Sequence, residues 1–402
     1  MKNRVLLSIL PLALLPALLP ADQNLTIGSL FEGGLVEGQL KSIYYTIEKE
    51  SSPDSHATAL GGYLKYTSSK KRPIYASVRF HSSTPVGSSE NPTATYMFDN
   101  DNDASGFVVN SEAWIAWHSE QRILKAGNLM LATPMMNEDK TRIVPWSYQG
   151  AAYTGRALPY TEVQLYHIDK IRSFTSGSYT HESASGEIGS KGITMLGLHY
   201  SGIHELELKS YYYYAPELYS TFIAQADYKH SLDESRFFCL GMQYFKSGHG
   251  GIYNQTDNKN GGDDIDLIAL KASFDTSNWM INLNYSRNFG ISGIVKGYGG
   301  LSKVYTTSMI ANGRGNYQPE TWMLKIDYDL PFDRWGESDI MLTLTDTRTK
   351  DERGNNFDAL YLHWRHLFNA DTMLYLRYER LHYYNGDKGN ESFFRAIASY
   401  TF

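Results

Sequence analysis

The chain has 402 residues, 42% hydrophobic and 20% charged, with 31 Tyr, 7 Trp and 34 Gly, a composition that excludes disorder and low complexity. One cysteine, Cys239, excludes an intramolecular disulfide framework and any multi-cysteine zinc or iron–sulfur site. A net charge of -6 lacks the basic excess needed to displace counterions from phosphates, so no nucleic-acid partner is expected.

At the N-terminus, Lys2 and Arg4 precede an apolar stretch from Val5 to Leu19, followed by Pro20 and Ala21. These are the charged, apolar and small-residue parts of a signal peptide, so 1–21 is expected to be removed and 22–402 to form one domain. Pro11, Pro16 and Pro20 interrupt the run, which argues against a spanning anchor, and Asp22 offers no lipid-attachment thiol. Loss of Lys2 and Arg4 takes the net charge from -6 to -8.

No later segment has the roughly 18 consecutive apolar residues of a spanning helix. Period-2 alternation recurs instead, and it predicts eighteen strands. The first nine cover 35–48, 56–67, 73–83, 106–118, 121–132, 149–157, 160–169, 191–201 and 203–214. The second nine cover 217–230, 234–246, 264–274, 277–289, 317–330, 335–348, 356–367, 371–384 and 391–402. Connections alternate between short turns, such as Ser119–Glu120 and Leu158–Pro159, and long polar stretches, such as 84–105, 133–148, 170–190, 247–263 and 290–316. Such asymmetry is expected of an outer-membrane barrel, with turns on the periplasmic side and loops outside.

The two faces of each predicted strand call for different solvents. Trp322, Leu324, Ile326, Tyr328 and Leu330 alternate with Met323, Lys325, Asp327 and Asp329. In the last segment Phe394, Ala396, Ala398, Tyr400 and Phe402 oppose Arg395, Ser399 and Thr401, and a strand ending in an aromatic C-terminal residue resembles the closing strand of bacterial outer-membrane barrels. The expected fold is all-β: a transmembrane antiparallel β-barrel of 18 strands in the outer membrane of a Gram-negative bacterium. A barrel of this size encloses an aqueous channel, and the chain leaves no room for a plug domain. Discrimination among solutes then requires a constriction, for which the long loop 133–148, folded inward, is the candidate.

Several runs carry a family resemblance. Leu124-Lys125-Ala126-Gly127-Asn128, then Thr133-Pro134, Asp139, Arg142, Pro145 and Gly150, resemble the strand-to-third-loop signature of the OprD-like outer-membrane porins. Ala224-Gln225-Ala226-Asp227-Tyr228, and Gly299-Gly300 followed by Tyr305, Thr306, Ser308 and Met309, are similar to later segments of that family. The resemblance implies an 18-stranded diffusion channel with an infolded third loop and a basic ladder. Opposition to the apolar stripes puts Arg365, Arg377 and Arg395 inside on the last three strands and Lys41, Lys65 and Arg79 inside on the first three. Closure makes these six strands neighbours, so their basic side chains would offer anions a series of weak sites. Pro134, Glu138, Asp139, Lys140 and Arg142 are the constriction-loop candidates, with Lys125 and Arg142 expected to position the loop. The inward acids Glu37, Asp227, Asp327 and Glu379 would oppose the ladder.

No nucleophile elbow, zinc-protease pair or phosphate-binding loop occurs, so no enzyme, cofactor or metal is expected. His382 and Ser392 are the residues an outer-membrane lipase would have to use. Asp99, Asp101, Asp103 and Ser105 have calcium-loop spacing, but Ala104 and Asn110 stand where the turn glycine and bidentate glutamate belong. Cys239, between Phe238 and Leu240, reads as a packing residue. The expected partners are outer-membrane lipid and small-molecule solutes, with the protein a monomer or homotrimer. The expected function is passive, selective diffusion of carboxylates, amino acids or small peptides. An adhesive or structural barrel whose loops bind a partner is the alternative.

Overall fold

The structure is a computed structural model that describes residues 33–100, 103–181, 191–216, 218–249, 264–291, 293, 298–311, 316–330, 335–350, 354–384 and 388–402. Residues 1–21, expected to be a signal peptide, and Asp101 lie outside the described residues. Eighteen strands form one sheet that closes on itself, each antiparallel to its chain neighbours and β18 paired with β1. In chain order they are β1 Leu35–Lys49, β2 Ser55–Thr67, β3 Ile74–Pro85, β4 Phe107–Ser119, β5 Arg122–Leu129 and β6 Ser147–Leu158. Next come β7 Thr161–Arg172, β8 Ile193–Ile203, β9 Leu206–Tyr214, β10 Tyr219–Ser231, β11 Phe237–His249 and β12 Ile265–Asp275. The last six are β13 Trp279–Asn288, β14 Pro319–Leu330, β15 Glu337–Thr349, β16 Phe357–Leu367, β17 Thr372–Tyr383 and β18 Glu391–Thr401. Every predicted segment corresponds to one strand.

Alternation dictates the two solvents of the wall. Leu40, Leu64, Phe80, Ile115, Leu240, Leu283 and Trp322 are large apolar side chains left exposed on the outside, where lipid covers them. Their neighbours along each strand point inward and are polar or packed against infolded loops. The closing pair runs in continuous register from Gln39↔Thr401 to Lys49↔Glu391, which leaves no free edge. At that seam Tyr44 lies beside Phe394 on the outer face, with ring centroids 6.4 Å apart.

One element is shorter than its alternation predicts. β5 ends at Leu129 instead of continuing to 132, because the chain there leaves the wall and turns into the lumen. Leu131, Met135 and Met136 are buried against Tyr148, Tyr213 and Tyr298, and that burial competes successfully with three more residues of ladder pairing. Loop 3 is therefore 130–146, and Ser147 and Tyr148 belong to β6. Its departure leaves β4 and β6 without a partner between them. Asn128 donates to Asn110 at 3.1 Å and Gln149 to Asn128 at 3.1 Å, and the Tyr179 hydroxyl reaches the Asn110 carbonyl at 3.2 Å and Ser147 Oγ at 3.0 Å. The amide side chains tie the three strands together where the ladder ends, and the Tyr179 hydroxyl satisfies a backbone carbonyl that an intact sheet would have paired.

In the connection between β13 and β14, loop 7, the described residues 298–311 also fold inward. Tyr298 N donates to the Met135 carbonyl at 2.7 Å, and Asn137 Nδ2 donates to the Leu301 carbonyl at 2.7 Å while its Oδ1 accepts from Leu301 N at 3.1 Å. Gly300 has φ +77° and lies so close to loop 3 that an added Cβ would sit 2.3 Å from the Asn137 carbonyl oxygen. Both the backbone conformation and the space require glycine there.

Candidate functional site

The six basic candidates lie on β16, β17, β18, β1, β2 and β3, which are contiguous in the closed sheet. Arg377 and Arg395 are directly paired across β17 and β18, and Lys65 and Arg79 across β2 and β3. Like charges directly opposite one another are unfavourable, so each pair needs compensation. The structure supplies it in two different ways.

Three of the six are matched by acids. Lys65 Nζ is 3.0 Å from Glu37, Arg79 Nε is 2.8 Å from Glu112, and Arg365 Nε is 2.6 Å from Asp339. The other three are held by neutral oxygens and rings. Lys41 Nζ donates to the carbonyls of Lys140 at 3.1 Å and Arg142 at 2.9 Å. Arg377 Nε donates to the Tyr361 hydroxyl at 2.9 Å, and its guanidinium lies 5.5 Å from the Tyr361 ring centroid and 5.3 Å from that of Tyr375. Arg395 Nη2 donates to the Tyr45 hydroxyl at 3.0 Å, and the guanidinium covers the Tyr45 ring at 4.1 Å.

Arg142 of loop 3 joins the second group. Its Nε donates to the Thr95 carbonyl at 3.0 Å, and its guanidinium lies 5.1 Å from the Tyr45 ring centroid and 5.5 Å from that of Phe174. Burial, and then the positive charge of Arg395 nearby, pull Arg142 down to about 9. Lys41, Arg142, Arg377 and Arg395 thus converge, and among the described residues none has a carboxylate within ion-pair distance. Neutral acceptors and aromatic faces hold these cations without cancelling their charge.

The cluster borders a cavity of about 580 Å³ lined by Lys41, Arg79, Arg365 and Arg377 on the barrel wall and by Glu138, Lys140 and Arg142 on loop 3. Lys65 and Arg395 do not line it, and Arg395 is 2% exposed. Glu138 is paired with Lys140 at 2.8 Å, and Asp139, in the left-handed region at φ 42°, accepts from Thr141 N at 3.2 Å. The Pro134 carbonyl accepts from Lys303 N of loop 7 at 3.3 Å. Among the described residues Lys125 makes no hydrogen bond or ion pair with loop 3. Its ammonium lies over the Trp114 ring at 4.5 Å, because an inward lysine this far down β5 meets the β4 wall first.

The inward acids are all engaged. Glu37 pairs with Lys65, and Asp227 accepts from Lys271 at 3.1 Å and Tyr305 at 2.7 Å. Asp327 lies 3.6 Å from Lys325. Glu379 anchors loop 7 by accepting from the Ser308 hydroxyl and from the backbone N–H of Ile310 and Ala311. The loop 7 anchors were not foreseen. Their signals were the Gly299-Gly300 pair, an invitation for close backbone approach, and Glu379, an inward acid on a strand that also carries Arg377.

Residues considered for other chemistry are dispersed. His382 lies against Tyr384 on the outer face and Ser392 Oγ donates to Glu48 at 3.0 Å, so the two form no pair. Asp99 and Ser105 are joined by a backbone bridge. Cys239 Sγ lies 3.7 Å from Asp275 on the lumen face.

Comparison with known proteins places this arrangement. Residues 86–361 match the family described as outer membrane porin, OprD family. None of the curated proteins compared matches the chain. Among solved structures, Acinetobacter baumannii OccAB4 is 17% identical with a TM-score of 0.79, covering 92% of this chain and 98% of its own. Pseudomonas aeruginosa OccK9 (OpdG) is 15% identical with a TM-score of 0.80, covering 93% and 99%. Pseudomonas aeruginosa OpdK, solved with vanillate, is 16% identical with a TM-score of 0.78, covering 93% and 99%. With a family match over most of its length, a closed 18-stranded wall and two loops folded into the lumen, the chain belongs to the OprD family of Gram-negative outer membrane porins.

Proposed function

We propose that this porin passes small organic anions, carboxylates above all, in preference to neutral solutes of equal size. The observation that carries the reading is the cluster of Lys41, Arg142, Arg377 and Arg395 beside the cavity, four cations that, among the described residues, have no carboxylate in ion-pair contact. A carboxylate entering the cavity relieves the mutual repulsion of these groups and gains charge-assisted hydrogen bonds from Lys41 and Arg377. Screening by salt weakens such contacts less in a narrow passage than on the outer loops, so the local cluster outweighs the net negative charge of the chain. Loop 3, braced from behind by loop 7, serves as the constriction that brings the solute within reach of them. The relative OpdK, solved with vanillate, adds support, since vanillate is a small aromatic carboxylate.

The test is uptake into liposomes containing the folded protein, with benzoate and glucose as probes. Benzoate uptake is expected to saturate and to exceed glucose uptake, and Lys41→Gln with Arg377→Gln is expected to lower benzoate uptake at least about tenfold relative to glucose, since each of the two lost charge-assisted contacts is by itself on that scale. Equal losses for both probes would show that the two cations only shape the pore.

A further inference from the structure

Below the basic cluster the sign of the wall reverses. A second cavity, of about 480 Å³, opens beside the periplasmic turn at Thr276 and Asn278 and is lined by Asp275, Asp327, Asp329 and Asp339 with Lys325. Arg365 and Tyr375 line both cavities, so they mark the boundary between them. Arg365 extends into this space with its side chain 49% exposed, which would make it the lowest rung available to a departing anion. It is not free to act as one. Asp339, its direct cross-strand partner, takes its Nε at 2.6 Å.

Asp339 is fixed for this task from its other side. Its second oxygen lies 2.7 Å from His363 Nε2, and His363 Nδ1 lies 3.3 Å from the Tyr361 hydroxyl and 3.2 Å from that of Tyr375. With the carboxylate accepting from Nε2–H, Nδ1 is left to accept from a tyrosine. Tyr361 in turn accepts from Arg377. One hydrogen-bonded chain therefore runs Arg365–Asp339–His363–Tyr361–Arg377, with a carboxylate in direct contact with the arginine at its lower end and a neutral hydroxyl in contact with the arginine at its upper end. Arg377 rests on a neutral hydroxyl, whereas the charge of Arg365 is offset by the carboxylate of Asp339.

We propose that Asp339 is a positioning residue that ends the basic ladder: by masking Arg365 it confines tight anion contact to the upper cavity and lets the solute leave through the acidic vestibule. Conduction requires sites weak enough to release what they bind. An unmasked Arg365 next to Arg377 would extend the anion well downward to the exit. This inference rests on the carboxylate reading above and concerns how the same site lets its solute go.

The experiment measures concentration-dependent benzoate uptake by wild type, Asp339→Asn and Asp339→Asn/Arg365→Gln, each checked for folding by its heat-modifiable mobility. D339N is expected to lower the half-saturation concentration for benzoate about fivefold, the upper range for one partly exposed ion pair, and to lower maximal flux with it. Glucose uptake is expected to stay within the spread of the wild type, and the double variant to regain the wild-type half-saturation. Should D339N fail to assemble, Asp339→Ser, smaller and also uncharged, is read in the same way, and Asp339→Glu is expected to restore the wild-type value. An unchanged half-saturation in the folded neutral variants would overturn the masking role. So would a shift that persists when Arg365 is also removed. Failure of the carboxylate reading looks different: wild-type benzoate uptake would then show no saturation and no excess over glucose.

Discussion

Two walls on opposite sides of this barrel use their charges in opposite ways. On β9 to β12, Lys209 is paired with Glu207, and Lys271 with Asp227, which Tyr305 also contacts. On β17, β18 and β1, Arg377, Arg395 and Lys41 rest on tyrosine hydroxyls, aromatic rings and loop carbonyls. A matched pair is close to neutral a few ångströms away, whereas a cation on neutral acceptors keeps its field. Selectivity in such a pore follows from which charges lack a partner, and a count of inward lysines and arginines does not reveal that.

The most drastic way to break the contrast is to remove loop 3, proposed above as the constriction that presses solutes toward the basic wall. Deletion of Met135–Asp139 is expected to raise single-channel conductance several-fold and to bring benzoate and glucose uptake close together, because the lumen of an 18-stranded barrel is otherwise wide and watery. Unchanged conductance in planar bilayers would mean that loop 3 is not the constriction. A subtler intervention makes the two walls alike. Asp227→Asn leaves Lys271 unmatched, and the ratio of benzoate to glucose uptake is expected to rise about threefold, within the range of one exposed charge pair. A falling ratio would show that the lost Tyr305 contact, and loop 7 with it, matters more than the field.

Loop 7 can be tested by itself. Gly300→Ala forces a Cβ against the Asn137 carbonyl at a positive φ, and a loss of about 1–3 kcal/mol in resistance to unfolding is expected, read as a lower temperature of heat-modifiable migration. The smallest effect is expected at the tyrosine between two guanidiniums. Tyr45→Phe removes the hydroxyl that accepts from Arg395 and keeps the ring, so the benzoate half-saturation should change less than about threefold, in keeping with about 0.5 kcal/mol for a partly replaced hydrogen bond. A tenfold change would place Arg395 in direct contact with the solute.

The strand plan was legible because lipid and water impose a period-2 alternation on every crossing, and that alternation is written residue by residue. The inward direction of Arg365, Arg377, Arg395, Lys41, Lys65 and Arg79 follows from the same rule, since the apolar stripe of each strand fixes its opposite face. Where the reading went astray, the deciding partner lay far away in the chain. The alternation of 121–132 runs on past Leu129, yet burial of Leu131 and Met135 beside Tyr213 and Tyr298 pulled the chain inward. Lys125 was assigned to loop 3 and instead covers Trp114. Glu379, read only as a charge opposing the ladder, also anchors loop 7 by accepting from the amides of Ile310 and Ala311.

By itself, the sequence determined the barrel, its closure, its orientation and the face on which each charge stands, because these depend on a local repeat repeated eighteen times. Tertiary structure alone decided which of those charges remain unpaired. An ion pair such as Arg365–Asp339 forms across strands whose relative register sets a distance of 2.6 Å, and a one-residue slip would turn one partner into lipid. The anchoring of loop 7 by Glu379 and Asn137, and the arrival of Arg142 beside Arg395, depend likewise on contacts between segments dozens to hundreds of residues apart. No local pattern encodes those distances, since they exist only once the sheet has closed and the loops have filled it.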